Sequence, residues 1–138
     1  VKNLGYTPRV ALLSFSNFGN PIRPSSKNIR EAVNILIERK VDFEFDGEMT
    51  AEVALDHNLI KENYPFCRLS GSANVLIMPG LLSANISFKL LQSLGGGSVL
   101  GPLMIGGEKP FQIVQMGSSV SDIVNSASIA AYNAIYSK

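Results

Sequence analysis

The sequence predicts an α/β domain built on a parallel-sheet layer, and three observations carry that prediction. Val75-Leu76-Ile77-Met78 is an apolar run of strand length, stopped by Pro79-Gly80. Residues 83–94 then place apolar groups at helical spacing, so the stretch reads strand, turn, helix. A strand apolar at every position must be covered on both faces, as in a parallel sheet, whereas an antiparallel sheet with one wet face alternates. The run is therefore expected to be a central strand. Ligands in such sheets sit beyond the carboxyl ends of the strands, which puts the turn at residues 79–85 on the functional edge.

The other elements follow in order. Residues 9–16, RVALLSFS, read as the first strand, started by Pro8 and left through Ser14-Phe15-Ser16. After a loop rich in Asn, Gly and Pro, Ser25 or Ser26 caps a helix in which Ile29, Ala32, Val33, Leu36 and Ile37 share one face. Lys40 ends it, a cation at the carbonyl end. Residues 41–45 are the expected second strand, with Asp46-Gly47-Glu48 as its exit, and a helix starts near Thr50 with Ala51, Ala54 and Leu55 inward. Residues 64–72 form a loop. Gly95-Gly96-Gly97 follow a helix and precede a strand, the reverse of a phosphate-binding loop, so they read as a helix C-cap. Residues 98–105, interrupted by Gly101-Pro102, look like a fourth strand. The link at residues 106–110 is shorter than the dozen or so residues of a parallel crossover, so residues 111–115 run antiparallel or leave for another layer. Ser119 then caps the last helix with Asp122 as a partial capping box, and Val120, Ile123, Val124, Ala127, Ala131, Ala134 and Ile135 form its apolar face.

Composition excludes several function classes. With 138 residues, 46% of them hydrophobic and 17% charged, the chain has the material for one domain with a core. Twelve Lys and Arg against 11 Asp and Glu leave a net charge of +1, no field to attract nucleic acid or an anionic membrane. One cysteine, Cys67, permits no internal disulfide and fits a reducing compartment, so the cytoplasm is expected. No apolar run approaches the roughly 20 residues that span a bilayer, and residues 1–10 have no signal-peptide core. A first residue of Val1 instead of Met points to a segment of a longer polypeptide.

Candidate chemistry is sparse. Asp46 and Glu48 could orient a substrate or serve as acid and base, or they could be a solvated turn. Ser14 and Ser16 leave the first strand on the same edge; their hydroxyls could hold a phosphate or carbonyl oxygen, or merely satisfy backbone groups. His57, the only histidine, and the remote Cys67 fall short of the three or four ligands of a zinc site, so no metal is expected and His57 reads as an exposed helix residue. Cys67 lacks a base to activate it. Residues 115–122, QMGSSVSD, bring backbone amides to a helix start, which suits an anion or simple capping.

Five blocks together resemble a known family: LSFSNFG at 13–19, DGEM at 46–49, LSGSANVLIMPGLLSANISFKL at 69–90, GPLMIGGEKP at 101–110 and GSSVSDIV at 117–124. They resemble the C-terminal half of a phosphate acetyltransferase, and most of all the phosphotransacetylase-like region that ends the large bacterial NADP-dependent malic enzymes. The resemblance implies a two-domain α/β fold related to isocitrate dehydrogenase, with the active cleft between the domains. Residues 1–110 would then be the latter part of one domain, and residues 111–138 a return strand and helix belonging to its companion. In active phosphotransacetylases the segment before the last helix reads Ser-Arg-Gly, then a further Ser and an Asp. The arginine stabilises phosphate and oxyanion charge, the serine hydrogen-bonds the transition state, and the aspartate helps deprotonate the CoA thiol. Gly117, Ser119 and Asp122 match that pattern, while Gln115 stands for the first serine and Met116 for the arginine. A methionine cannot make the bidentate contact an arginine offers phosphate.

The resemblance therefore implies a regulatory and oligomerising module that binds acetyl-CoA as an effector without transferring acetyl. Ser14, Ser16, Asp46, Glu48, Gln115, Met116, Gly117 and Ser119 are its candidate ligand residues, and Asp122 the candidate catalytic one. The parent would convert malate to pyruvate and CO2 with NADP and a divalent metal held in an N-terminal part. The alternatives are a working phosphate acetyl- or butyryltransferase, and a structural dimerisation domain whose small Ala127, Ala130, Ala131 and Ala134 allow close helix packing.

Overall fold

The computed structural model describes residues 1–136, and the chain forms two compact units, Val1–Phe88 and Lys89–Lys138. In the first, β1 (Arg9–Leu13) lies between β2 (Glu44–Met49) and β3 (Val75–Ile77), and both pairings are parallel. Alternation along β1 divides the core between the two faces of the sheet. Val10 and Leu12 pack with Phe45 and with Val33 of α1 (Lys27–Glu38). Ala11 and Leu13 pack with Met49, with Val53 and Ala54 of α2 (Ala51–Leu55), and with Ile60 of α3 (His57–Asn63). Each β1 leucine is 4% exposed, so its burial contributes about 2 kcal/mol, and Leu13→Ala would cost about 3 kcal/mol once the cavity is counted.

β3 is an edge strand of this sheet, not the central one expected, and Ile77 is 45% exposed. Apolar runs report coverage of the two faces of a strand, not the number of its neighbours, and the equally apolar β1 takes the middle. β2 also differs: it starts at Glu44 and contains the residues expected to form its exit. Acidic residues read as solvent-facing until their counter-charges are known, and here those come from elsewhere in the chain. The pairing is bulged. Leu12 faces Gly47 and Leu13 faces Met49, leaving Glu48 as the extra residue. The bulge reverses the pleat, which is why Phe45 joins one core layer and Met49 the other. Gly47, at φ +153°, is required there, because a Cβ on it would sit 2.6 Å from the Leu12 carbonyl oxygen.

The helix expected from Thr50 is two. Thr50 caps α2, the chain turns extended at Asp56, and the Asp56 carboxylate accepts from the amides of Asn58 (2.9 Å) and Leu59 (3.1 Å) to start α3. His57 is half-buried at the first position of α3, not exposed, and its Nδ1 has no hydrogen-bond partner among the described residues. The loop that follows guards the free edge of β2. Ser70 donates from its amide and hydroxyl to Glu44, and Arg68 donates from its amide to Asp46, so side-chain carboxylates take the place of a neighbouring strand.

α4 (Leu81–Leu94) carries the chain out of the first unit and ends where expected, with Gly95 N–H donating to Leu91 O at 2.8 Å and Gly96 left-handed at φ +63°. Among the described residues no strand forms over 98–105 or 111–115, contrary to the sequence reading. Their backbones meet no strand partner. Instead the Gln112 amide donates to the Met104 carbonyl and accepts from the Met104 N–H, a side-chain imitation of a ladder. α5 (Val120–Tyr136) closes the description. No described helix is long and apolar enough to cross a membrane.

Candidate functional site

The first candidate cluster grows from the bulge in β2. Glu48 is fully buried and its Oε1 accepts from Ser16 Oγ at 2.5 Å. Arg30, from α1, donates through one terminal nitrogen to both Glu48 oxygens (3.0 and 3.1 Å) and to Ser26 Oγ (2.8 Å). Ser26 occupies the cap position of α1, but its hydroxyl serves this network and Arg23 O instead of a helix amide. Asp46, 3% exposed, accepts from the Gly47 amide, the Arg68 amide and the Arg68 guanidinium, which also lies 5.0 Å over the Phe45 ring. Ser14 is half-buried and donates its amide to Met49 O.

These carboxylates are neither a solvated turn nor a free acid-base pair. Every oxygen is engaged, as burying a carboxyl group requires. Glu48 also ties down the turn after β1: its carboxylate accepts from the Ser16 hydroxyl and its backbone carbonyl accepts from Phe18 N–H at 2.7 Å, while Thr50 N–H donates to Asn17 Oδ1 at 2.7 Å. Ser16, Asp46 and Glu48 are thus brought together, with Arg30, Arg68 and Ser26 as partners that sequence reasoning missed. Arg30 was findable: it flanks the strand-facing stripe of Ile29 and Val33, where a cation is costly unless something acidic faces it. Arg68, in a loop, gave no such signal.

Cys67 and His57 line one cavity of about 270 Å³, closer than their separation in sequence implied. Burial pushes the Cys67 thiol up to about 11, and the nearby Asp46 charge adds to the effect, so the thiolate that a nucleophile needs is scarce. Among the described residues no three His, Cys, Asp or Glu are grouped to hold a metal ion.

The second cluster lies within the Lys89–Lys138 unit. Ser118 N–H donates to Gln115 O at 3.0 Å, and Gly117, at φ +89°, takes the left-handed position that this turn demands. The capping box forms in full: Asp122 N–H donates to Ser119 Oγ, while the Ser119 amide (2.9 Å) and hydroxyl (2.8 Å) donate to Asp122 Oδ2. That hydroxyl holds the Asp122 carboxyl below its ordinary value, with the Ser119 amide second. Gln115, Met116, Gly117, Ser118 and Asp122 line a cavity of about 220 Å³ with Pro102 and others. Met116 is fully exposed, and no described residue lining this cavity is Lys, Arg or His.

Residues 1–131 match the family described as phosphate acetyl/butaryl transferase. The chain belongs to that family. This phosphate acetyl/butaryl transferase domain is 59% identical over 133 residues to an NADP-dependent malic enzyme of Rhizobium meliloti (strain 1021), covering 96% of this chain and 17% of that protein. It is 41% identical to a phosphate acetyltransferase of Treponema pallidum (strain Nichols), covering 91% of this chain and 38% of that one. Its fold is similar to that of a phosphotransacetylase from Streptococcus pyogenes, with a TM-score of 0.88 at 34% identity over 97% of this chain and 41% of that chain. The domain therefore spans under a fifth of such a malic enzyme and about two fifths of the phosphate acetyltransferases. It is a phosphotransacetylase-like domain of the kind found in both.

Proposed function

We propose that this domain is the regulatory and oligomerising module of an NADP-dependent malic enzyme, and that it binds acetyl-CoA without transferring acetyl to phosphate. The observation that carries the reading is Met116. It stands where the family resemblance implies a phosphate-gripping arginine, in a cavity whose only charged lining residue among the described residues is Asp122. An anionic phosphate there meets like charge instead of a guanidinium fork. Losing one such donor lowers a rate by about 10² to 10³. Recognition survives more readily than reaction, since contacts to the body of a ligand are formed in the ground state and a transition-state donor is not.

The remaining residues fit a binding role. Gly117 leaves the turn open to close approach, and the Ser119–Asp122 box fixes the start of α5. The apolar face of α5, with Ile123, Val124 and Ile135 about half-exposed or more, supplies an oligomerisation surface. In the parent, oxidative decarboxylation of malate with NADP and a divalent metal would belong to residues outside this chain, and acetyl-CoA would act by its differential affinity for active and inactive states. The 41% identity to a phosphate acetyltransferase favours a second reading, a working acyltransferase. Acetyl-CoA titrated into the full-length parent while malate turnover is followed should inhibit it; unchanged turnover with no detectable binding would defeat the regulatory reading.

A further inference from the structure

Along the outer edge of β2, α1 and the loop before β3 enclose an open groove of about 310 Å³ that the acetyl-CoA reading does not use. Phe18, Arg30, Asn34, Asp46, Phe66 and Arg68 line it. The two arginines are held from behind: Arg30 by Glu48 and Ser26, Arg68 by Asp46 and the Phe45 ring. Such fixing leaves each guanidinium pre-organised. Nε of both, and the second terminal nitrogen of Arg68, make no hydrogen bond among the described residues.

The four charges sum to zero, but they are not equally placed. The carboxylate side chains of Glu48 and Asp46 are 0% and 4% exposed, against 32% and 42% for Arg30 and Arg68, so the charge a ligand meets is positive. Both arginines line this one groove, so their free donors face a single cavity, and a guanidinium fork suits a multi-oxygen anion. Beside them Phe18 and Phe66 meet edge to face with centroids 4.9 Å apart, and Phe66 is 64% exposed. A large exposed ring beside unspent arginine donors is a surface for a flat apolar group. The volume lies at the small end of ligand sites, roughly 300 to 1,000 Å³.

We propose that this groove is a binding site for a nucleoside monophosphate, its phosphate between Arg30 and Arg68 and its base against Phe66 and Phe18. The test is calorimetric titration of adenosine monophosphate, and separately of inorganic phosphate, into the full-length polypeptide that carries this domain, with NADP in excess to fill any dinucleotide site. One saturable site per chain is expected, tighter for the nucleotide than for phosphate. Asn34→Glu, an exposed helix position that accepts glutamate without refolding, should weaken both ligands at least tenfold. Phe66→Ala should weaken the nucleotide and leave phosphate unchanged. The proposal is overturned by no saturable nucleotide binding, by binding that Asn34→Glu leaves untouched, or by a nucleotide no tighter than phosphate. None of these outcomes depends on acetyl-CoA or malate turnover, so the two readings fail separately.

Discussion

The Glu48 carboxyl group has no access to solvent, and one guanidinium and one hydroxyl supply its hydrogen bonds. Removing the cation is therefore worse than removing a surface ion pair. Arg30→Met should destabilise the protein by about 3 kcal/mol, read as a lower denaturation midpoint at unchanged slope. Gly47→Ala should cost a similar amount, on the order of 3 kcal/mol, because its methyl meets the Leu12 carbonyl at 2.6 Å and the backbone must move. Cys67 gives a chemical check. With its thiol near 11, only about one molecule in a thousand is thiolate at pH 8, so alkylation by iodoacetamide should run on the order of a hundredfold slower than for an unperturbed cysteine. At this scale the sequence was half-legible. It singled out Ser16, Asp46 and Glu48, but a carboxylate looks the same whether water or a distant arginine neutralises it, and Arg68 reaches Asp46 across 22 positions.

The start of α5 was readable in full, since a capping box is a local device whose two partners lie three residues apart. Ser119→Ala should cost about 1 kcal/mol. Because Asp122 titrates below its ordinary value in the folded chain, its share of the cap is present above the unfolded carboxylate range. That share is lost as pH falls through the depressed folded value, and amide exchange in the first turn of α5 should speed up over that acid window. β2 and the segments at 98–105 and 111–115 were misread for opposite reasons. β2 is a strand despite its carboxylates because other elements pair them, whereas the apolar 98–105 and 111–115 find no neighbouring strand within the described residues. Strand propensity is realised only by a partner.

For the whole molecule, the parallel α/β layering was legible because β1 and the Val75 run are apolar on both faces and each is followed by a helix. The order of strands was not, since nothing in an apolar run says which strand sits in the middle. Family membership was legible for a different reason: five blocks spread along the chain resemble one family, and residues 1–131 match it. The functional claim reaches further than membership and rests on a departure from the family pattern at residue 116. Its most direct test is acetyl phosphate formation from acetyl-CoA and phosphate by the full-length polypeptide carrying this domain, assayed beside Met116→Arg. The account predicts no turnover above background for the natural sequence; a rate of tens per second with Met116 in place would contradict it.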